Sequence, residues 1–243
     1  AHIEKDDTIV EIGPGIGVLT RKLLERAGSV IAIELDNHLI PLLRKYIGES
    51  SISSISLDSS ISSRLSIINA NALQVEMPST PYKVVANIPY HITSPLLHHL
   101  FLESKTIPTS LTLLIQREVA EKICDTRDAG MLTILVGLFG TPQIVSHVPP
   151  EAFLPPPKVD SAVLHIDCFP KSLADKKTIG HIFSLTKTAF GQKRKMLRNT
   201  LGAFPRGMER LERLGIAPTR RPQTLSIQEW IALAQVWNEN DGA

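Results

Sequence analysis

The residues most clearly suited to carrying out chemistry form the tetrapeptide Asn87-Ile88-Pro89-Tyr90, which follows a short apolar run at residues 83–86. Ile88 precedes a proline and is therefore pushed toward an extended conformation, while Pro89 has a fixed φ and no backbone donor. Such a stiff turn can direct the Asn87 amide and the Ile88 carbonyl into one pocket, beside the flat ring of Tyr90. This set can hold a planar base that carries an exocyclic amine. The alternative is an ordinary turn with a surface tyrosine.

A glycine-rich segment near the start of the chain, residues 9–17, reads IVEIGPGIG between a predicted strand and a predicted helix. Glycines at such a turn let the backbone pass close to a ligand at the carboxyl edge of a sheet. The glycines Gly13, Gly15 and Gly17 have G-x-G-x-G spacing, which differs from the dinucleotide pattern G-x-G-x-x-G. Together with the preceding acid, Glu11, this spacing favours an S-adenosylmethionine site over a nicotinamide site. A tight turn that binds nothing is the alternative.

Two further polar residues follow predicted strands. Glu34 ends the predicted strand at residues 30–34 and lies nineteen positions past Gly15. A carboxylate there can accept hydrogen bonds from both ribose hydroxyls of a nucleoside cofactor. Asn71 follows the third predicted strand, where an adenine-contacting side chain is expected. An asparagine that caps its own loop is the alternative for Asn71.

The two motifs together predict methyl transfer to the exocyclic amine of adenine. That amine is a poor nucleophile because its lone pair is delocalised into the ring. Two acceptors on its hydrogens favour a pyramidal nitrogen whose lone pair points at the methyl donor. Transfer then requires alignment more than a strong base.

The elements that must position these residues alternate between strands and helices, which predicts a mostly parallel α/β sheet. Strands are predicted at residues 8–12, 30–34, 65–68, 83–86 and 111–116, and helices at residues 19–26, 39–46, 96–102 and 117–124. Residues 133–140 and 159–166 are predicted as late strands at an antiparallel edge. From about Lys176 the pattern is helical to the end of the chain.

These patterns predict two domains. Residues 1–168 form a class I, Rossmann-like S-adenosylmethionine methyltransferase sheet flanked by helices, and residues 169–243 form a small, basic, all-α domain. Residues 48–66 interrupt the first domain with ten serines between Ser50 and Ser66. Such a polar tract buries too little apolar surface to offset its ordering entropy, so we predict a mobile surface insertion.

Five segments of the chain resemble the KsgA-type ribosomal RNA adenine dimethyltransferases. They are residues 11–17, 87–90, 116–120 (QREVA), 153–163 (FLPPPKVDSAV) and 192–201 (QKRKMLRNTL). The resemblance runs over almost the whole chain apart from the serine tract. The last two motifs are the more specific ones, because the tetrapeptide alone marks amino methyltransferases broadly.

The resemblance implies that two adjacent adenosines near the 3′ end of small-subunit ribosomal RNA become N6,N6-dimethyladenosine, with S-adenosyl-L-methionine as the cofactor. By matching position, the residues implied to contact the cofactor are Gly13, Gly15, Glu34, Asn71 and Asn87. Tyr90 and Phe153 would hold the flipped adenine between them. Phe153 could instead anchor the three prolines that follow it. Asn71 departs from the family, which usually has aspartate there.

The charge distribution points to a polyanionic partner. The net charge is only +2, but the chain from Phe169 onward has 13 lysines and arginines against 6 acidic residues. The predicted RNA-binding residues are Lys193, Arg194, Lys195, Arg198, Arg220 and Arg221. Phosphate contacts by such residues give salt-dependent affinity that is largely independent of sequence. A solvated basic helical face is the alternative.

Other classes of protein stay open as alternatives. An Erm-type large-subunit enzyme shares the early motifs but usually differs in the last two. A non-enzymatic ribosomal RNA-binding assembly factor need not keep the tetrapeptide. A nicotinamide oxidoreductase is disfavoured by the glycine spacing.

Further expectations concern the setting of the protein. The adjacent His98 and His99 lack a ligand pattern, so we expect no metal. No apolar run is long enough for a membrane span, and two distant cysteines suit a reducing compartment. We therefore expect a cytoplasmic protein, with an organelle as the alternative location, and a monomer whose partner is small-subunit ribosomal RNA or an immature small subunit. Because the chain opens at Ala1, directly before a strand, we also expect that a segment precedes it.

Overall fold

The computed structural model describes residues 1–49, 63–192 and 194–238. Its centre is a seven-stranded sheet with the strand order β3-β2-β1-β4-β5-β7-β6. The strands are β1 (Thr8–Ile12), β2 (Ser29–Glu34), β3 (Leu65–Asn69), β4 (Lys83–Asn87), β5 (Ser110–Gln116), β6 (Gly140–Val148) and β7 (Ser161–Cys168). Strands β1 to β5 are parallel, and β7 is antiparallel to β5. The predicted α/β sheet is therefore confirmed.

Eight helices accompany this sheet within the described ranges. They are α1 (Val18–Leu24), α2 (Leu39–Glu49), α3 (Thr93–His98), α4 (Arg117–Cys124), α5 (Met131–Phe139), α6 (Lys176–Phe190), α7 (Gly207–Arg213) and α8 (Ile227–Asn238). Helix α3 continues as a π-helical turn over His99–Glu103. No helix in the part of the chain that the structure describes is long and apolar enough to cross a membrane.

The chain divides into two compact units. The first comprises residues 1–120 and 141–170 and contains the sheet, and the second comprises residues 121–140 and 171–243 and is helical. The second unit thus combines the C-terminal helices with a segment, residues 121–140, taken from the middle of the chain. Residues 50–62, which make up most of the predicted serine-rich insertion at residues 48–66, lie outside the described residues.

The prediction of a strand at residues 133–140 is wrong, because this segment is helix α5 and the edge strand β6 begins only at Gly140. A short apolar run without polar alternation cannot be told from a buried helix by its periodicity. Helix α5 is buried around most of its circumference, from Ile134 to Phe139. Its start is marked by Thr133, whose hydroxyl accepts the N–H of Gly130 at 2.9 Å.

The helical pattern predicted from residue 176 onward is interrupted around the basic motif. Helix α6 ends at Phe190, and short 3₁₀ turns follow at Leu197–Asn199 and Leu201–Ala203. Here two backbone N–H groups donate hydrogen bonds to carbonyls of a distant segment instead of to carbonyls of a helix of their own. The N–H of Leu197 donates to the Arg220 carbonyl at 2.8 Å, and the N–H of Arg198 donates to the Pro218 carbonyl at 2.9 Å.

The parallel strands at the centre of the sheet are almost continuously apolar because both of their faces are covered. Ile9 and Val10 of β1 are fully buried, as are Val30 of β2 and Val84 of β4. The register pairs β1 with both β2 and β4 along this apolar stretch. All three strands therefore end at one edge of the sheet, where Glu34 at the end of β2 and Asn87 at the end of β4 lie beside the glycine loop that follows β1.

Candidate active site

A cavity of about 420 Å³ opens at the carboxyl edge of the sheet. The described residues that line it are Gly13, Gly15, Glu34, Leu39, Asn87, Ile88, Pro89, Tyr90, Phe153, Pro155 and Pro157. They come from the glycine loop, the end of β2, the tetrapeptide and the proline-rich segment before β7. The cavity thus brings together most of the residues that the sequence nominated for the cofactor and for the base.

The glycine loop between β1 and α1 forms one wall of this cavity. The N–H of Gly13 donates to the Ile33 carbonyl at 2.9 Å, which ties the loop to β2. Gly13 and Gly15 have φ values of +67° and +58°, in the region that favours glycine. A Cβ atom built on Gly15 would meet nothing within 4 Å. The loop backbone is therefore open toward a ligand at this point.

The carboxylate of Glu34 is fixed by two backbone donors. Its Oε2 accepts the N–H of Gly15 at 3.1 Å, and its Oε1 accepts the N–H of Asp36 at 2.9 Å. The residue is only 6% exposed, so solvent competes little for the carboxylate. Each oxygen retains a further acceptor site. The group can therefore receive two neighbouring hydroxyls without having to reorient.

Glu11 lies behind the glycine loop, does not line the cavity, and is 1% exposed. Burial raises the pKa of Glu11 to about 7, the neighbouring Thr20 hydroxyl opposes this rise, and the charge of Glu34 adds to it. Within the described residues, the buried atoms Glu11 Oε2 and Thr20 Oγ1 have no partner in hydrogen-bonding geometry. A buried carboxyl group without a full set of partners is thus left directly beneath the loop.

The tetrapeptide forms another wall of the cavity, next to the glycine loop. Asn87 ends β4 opposite Leu114 of β5, and its side chain is exposed, whereas Ile88 is 2% exposed and anchors the turn in the core. The Pro89 carbonyl accepts the N–H of Ile92 at 3.1 Å. Successive residues of an extended segment face opposite sides. Because the Ile88 side chain faces the core, the Asn87 side chain faces the cavity.

Two aromatic residues line the same cavity. Tyr90 is half-buried, its carbonyl accepts the Thr93 hydroxyl at 2.9 Å, and its own hydroxyl lies 2.6 Å from the Ser161 hydroxyl. Phe153 is also half-buried and lies in the segment that leads into β7. Ser161 lies within the motif FLPPPKVDSAV, but the motif itself indicates no role for it. Its part at the site depends on a contact across 71 residues of chain, which no local pattern reveals.

Three nominated cofactor residues lie outside the cavity lining. Besides Glu11, these are Gly17, at the start of α1, and Asn71. The Asn71 side-chain oxygen accepts the N–H of Leu73 at 3.0 Å. Asn71 therefore caps its own turn, which is the alternative that the sequence left open. A Cβ atom on Gly17 would lie 2.5 Å from Leu43 Cδ1, so this glycine allows α1 and α2 to pack closely.

The nominated RNA-binding residues belong to the second unit. Lys193 lies outside the described residues. Arg194, Lys195, Arg198 and Arg221 are exposed, and the two backbone bonds from residues 197 and 198 to the 218–220 segment hold the chain segments that carry them together.

Arg220 differs from the other nominated basic residues that the structure describes because several hydrogen bonds hold its guanidinium within the fold. Its guanidinium donates to both carboxylate oxygens of Glu229, at 2.5 and 3.1 Å, and to the Thr224 carbonyl at 2.5 Å. These bonds tie the 218–226 segment to α8. The position of Arg220 is therefore explained by the local fold.

Within the described ranges no group of three or more histidine, cysteine, aspartate or glutamate residues could hold a metal ion. His99 does have a carboxylate neighbour, which the sequence analysis did not foresee. Its Nδ1 lies 2.9 Å from Glu103 Oε2, and its Nε2 lies 3.0 Å from the Val75 carbonyl. The first contact lies within the π-helical turn, and the second fastens this turn to the segment before β4.

Comparison with known proteins gives a consistent result along the whole chain. The profile of the family described as "Ribosomal RNA adenine dimethylase" matches residues 1–239. A relative from Dehalococcoides mccartyi, named "Ribosomal RNA small subunit methyltransferase A", is 39% identical over 248 residues, covering 99% of this chain and 82% of the relative. A relative of the same name from Alkaliphilus oremlandii is 36% identical and covers 96% of this chain and 83% of its own length.

Solved structures with the same fold include two methyltransferases. A dimethyladenosine transferase from Plasmodium falciparum superposes with a TM-score of 0.81 at 27% identity, covering 98% of this chain and 92% of that one. The 23S rRNA methyltransferase ErmE superposes with a TM-score of 0.74 at 27% identity, covering 97% and 92%. The predicted class I methyltransferase fold is thereby confirmed.

The buried Glu11 carboxyl makes stability depend on pH in a defined direction. Its folded-state pKa of about 7 lies above the ordinary value of 4.5, so between these values the folded chain keeps a proton that the unfolded chain loses. Stability therefore falls as pH rises through this window, by up to about 3 kcal/mol. We expect Glu11→Gln to gain stability over the wild type as pH rises from 5 to 8.5.

The measurement is the apparent free energy of unfolding of both proteins across this pH range, without ligands. Glu118→Gln, which alters an exposed carboxyl group at the start of α4, controls for the loss of one charge. A difference between Glu11→Gln and the wild type that stays constant with pH would contradict the assignment of a raised pKa to Glu11.

Proposed function

Because the chain belongs to the ribosomal RNA adenine dimethylase family, we propose that it dimethylates two adjacent adenosines near the 3′ end of small-subunit ribosomal RNA. The methyl groups come from S-adenosylmethionine, the product is N6,N6-dimethyladenosine, and the reaction is part of ribosome biogenesis. The observation that carries this proposal is the single cavity that contains the glycine loop, Glu34, Asn87 and two aromatic side chains.

The choice of the small subunit rests on the sequence relatives. Both structural neighbours have 27% identity, and one of them is an enzyme of 23S rRNA, so the fold alone does not separate the two substrates. The relatives at 36% and 39% identity carry the small-subunit name and match nearly the whole chain. The segments 153–163 and 192–201, where Erm-type enzymes usually differ, also resemble the KsgA type.

The residues at the cavity suit S-adenosylmethionine. Glu34 presents a fixed carboxylate to the ribose hydroxyls, and the open backbone at Gly13 and Gly15 leaves room for the cofactor to lie against the loop. The incompletely partnered carboxyl of Glu11 beneath the loop favours a cationic ligand nearby, because a positive charge stabilises its ionised form. When bound, the cofactor supplies an electrophilic methyl group on a sulfonium.

The tetrapeptide holds the nucleophile. The Asn87 side-chain oxygen and the Ile88 carbonyl accept hydrogen bonds from the adenine amine and orient its lone pair toward the methyl donor. The rings of Tyr90 and Phe153 contact the two faces of the base, and each base–aromatic stack contributes about 1–3 kcal/mol. The Ile88 side chain is buried, so the whole turn is held rigid.

Proton transfer places no great demand on the protein. Among the described residues that line the cavity, the titratable ones are Glu34 and Tyr90. Glu34 is engaged by two backbone amides, and the Tyr90 hydroxyl is bonded to Ser161. The amine becomes acidic as it gains a methyl group, so its proton can pass to water. The protein accordingly contributes mainly by orienting the reacting groups and by placing fixed dipoles around them, the two effects that are largest in preorganised sites.

The exposed basic residues of the second unit supply the affinity for RNA. Arg194, Lys195, Arg198 and Arg221 lie on two segments joined by backbone hydrogen bonds, and we assign Lys193 to the same surface from the sequence alone. Their contacts with phosphates position the RNA, and the cavity selects the base. The protein acts on this RNA as a cytoplasmic monomer.

The experiment that tests the proposed function uses undermethylated small ribosomal subunits and labelled S-adenosylmethionine. We expect N6,N6-dimethyladenosine in digested small-subunit RNA and none in large-subunit RNA treated in parallel. Asn87→Ala should lower the transfer rate by at least about 10²-fold, because it removes a dipole aimed at the reacting amine. Its affinity for RNA should stay within about threefold of the wild type, since phosphate contacts lie elsewhere.

Product on large-subunit RNA alone would move the assignment to the Erm-type activity. Tight RNA binding without any product would favour a non-enzymatic assembly factor. Turnover by Asn87→Ala at the wild-type rate would contradict the role given to Asn87 while leaving the overall activity in place.

Arg198 and Arg220 form a matched pair for testing the RNA-binding surface. Arg198→Ala should lower the slope of log affinity against log salt concentration by about 1, because one phosphate contact is lost. Arg220→Ala should instead lower the free energy of unfolding by roughly 1–2 kcal/mol, since its hydrogen bonds lie within the fold. Salt titrations of RNA binding and denaturant unfolding measure the two effects. An Arg198→Ala slope equal to that of the wild type would contradict the proposed surface.

A further inference from the structure

Tyr90 is held at both of its ends. Its carbonyl accepts the hydroxyl of Thr93 at 2.9 Å, which fixes the backbone at the start of α3. Its phenolic oxygen lies 2.6 Å from Ser161 Oγ, a short and well-formed hydrogen bond between two hydroxyl groups. Since the Tyr90 ring lines the cavity, this second bond fixes the orientation of one wall of the cavity.

Ser161 is itself held rigidly by the sheet. It is the first residue of β7, it is fully buried, and it pairs with Gln116 at the end of β5. The preceding residue, Asp160, makes a backbone hydrogen bond and an ion pair with Arg117. Its carbonyl accepts the Arg117 N–H at 2.9 Å, and its carboxylate lies 2.6 Å from the Arg117 guanidinium. The Ser161 hydroxyl therefore has a position that the antiparallel register determines.

The start of β7 is also where the segment that carries Phe153, the other aromatic residue of the cavity, ends. Phe153 lies eight residues before Ser161, in a segment that returns to the sheet at Asp160 and Ser161. Tyr90 is thus hydrogen-bonded to the first residue of β7, and the segment that carries Phe153 leads into the same strand.

We infer that Ser161 is a positioning residue that holds the Tyr90 ring in place as one face of the slot for the target base. This inference rests on the proposed function. A tyrosine without this bond would rotate about its side-chain torsions and would have to be ordered again each time a base entered. Restraining the ring beforehand removes that entropic cost from the binding of the extruded base.

The test is a double-mutant cycle of Ser161→Ala and Tyr90→Phe, which remove the same hydrogen bond from its two ends and leave the aromatic ring present. Each single variant should lower kcat by roughly fivefold, the effect of one hydrogen bond of about 1 kcal/mol. KM for the RNA and the dissociation constant of S-adenosylmethionine should stay unchanged. The double variant should be no slower than either single variant, because only one interaction is lost.

The matched control is Ser29→Ala. It removes a hydroxyl pair, between Ser29 and Thr8 at 3.1 Å, where β1 and β2 begin at the opposite edge of the same sheet. We expect the wild-type kcat for this variant. Multiplicative losses in the double variant, or a Ser161→Ala protein that keeps full kcat, would overturn the inference.

The experiment distinguishes a failure of the proposed function from a failure of the inference about Ser161. If the wild type does not methylate small-subunit RNA, the proposed function fails. If it does methylate this RNA and the cycle is additive, Ser161 acts independently of Tyr90. If Ser161→Ala fails to fold, Tyr90→Phe still decides the inference, with Ser29→Ala as the control. Tyr90→Phe removes the same hydrogen bond by removing the Tyr90 hydroxyl instead of the Ser161 hydroxyl. A Tyr90→Phe variant with wild-type kcat would then overturn it.

Discussion

The parallel register of β1, β2 and β4 is the constraint on which the site depends. It brings the glycine loop, the Glu34 carboxylate and Asn87 to one edge of the sheet, although they lie far apart along the chain. The bond from the Gly15 amide to Glu34 then locks the loop to the neighbouring strand. A ligand that contacts all three groups finds them already ordered, so little of its binding energy is spent on arranging the protein.

The antiparallel strand β7 adds what the parallel strands alone cannot. It returns the chain to the same edge, so that the proline-rich segment with Phe153 also lines the cavity. Parallel strands and their crossovers supply the part of the cavity suited to the cofactor, and β7 supplies part of the wall suited to the base. The second unit carries the exposed cations that suit a polyanion. These three tasks correspond to three different parts of the chain.

Much of the fold and of the site could be predicted because the signals are local. The glycine spacing, the tetrapeptide and the strand ends are short patterns with direct stereochemical meaning, and they were sufficient to nominate Glu34, Asn87 and Tyr90. Helix α5 was mistaken for a strand because burial on nearly all sides removes the periodicity that distinguishes the two. The partners of Asn71 and Arg220, and the bond between Tyr90 and Ser161, depend on tertiary contacts or on a choice between cap and ligand that sequence leaves open.

In the proposed function, one cavity holds both the cofactor and the target adenine, with Asn87 between them. The most direct test is a crystal structure of the protein with S-adenosylhomocysteine and a short RNA that contains the target adenosines. We expect the ribose hydroxyls of the cofactor product against the Glu34 carboxylate, and an extruded adenine between Tyr90 and Phe153 with its amine at Asn87. An adenine bound elsewhere, or a cofactor product away from Glu34, would show that these residues do not form the proposed site.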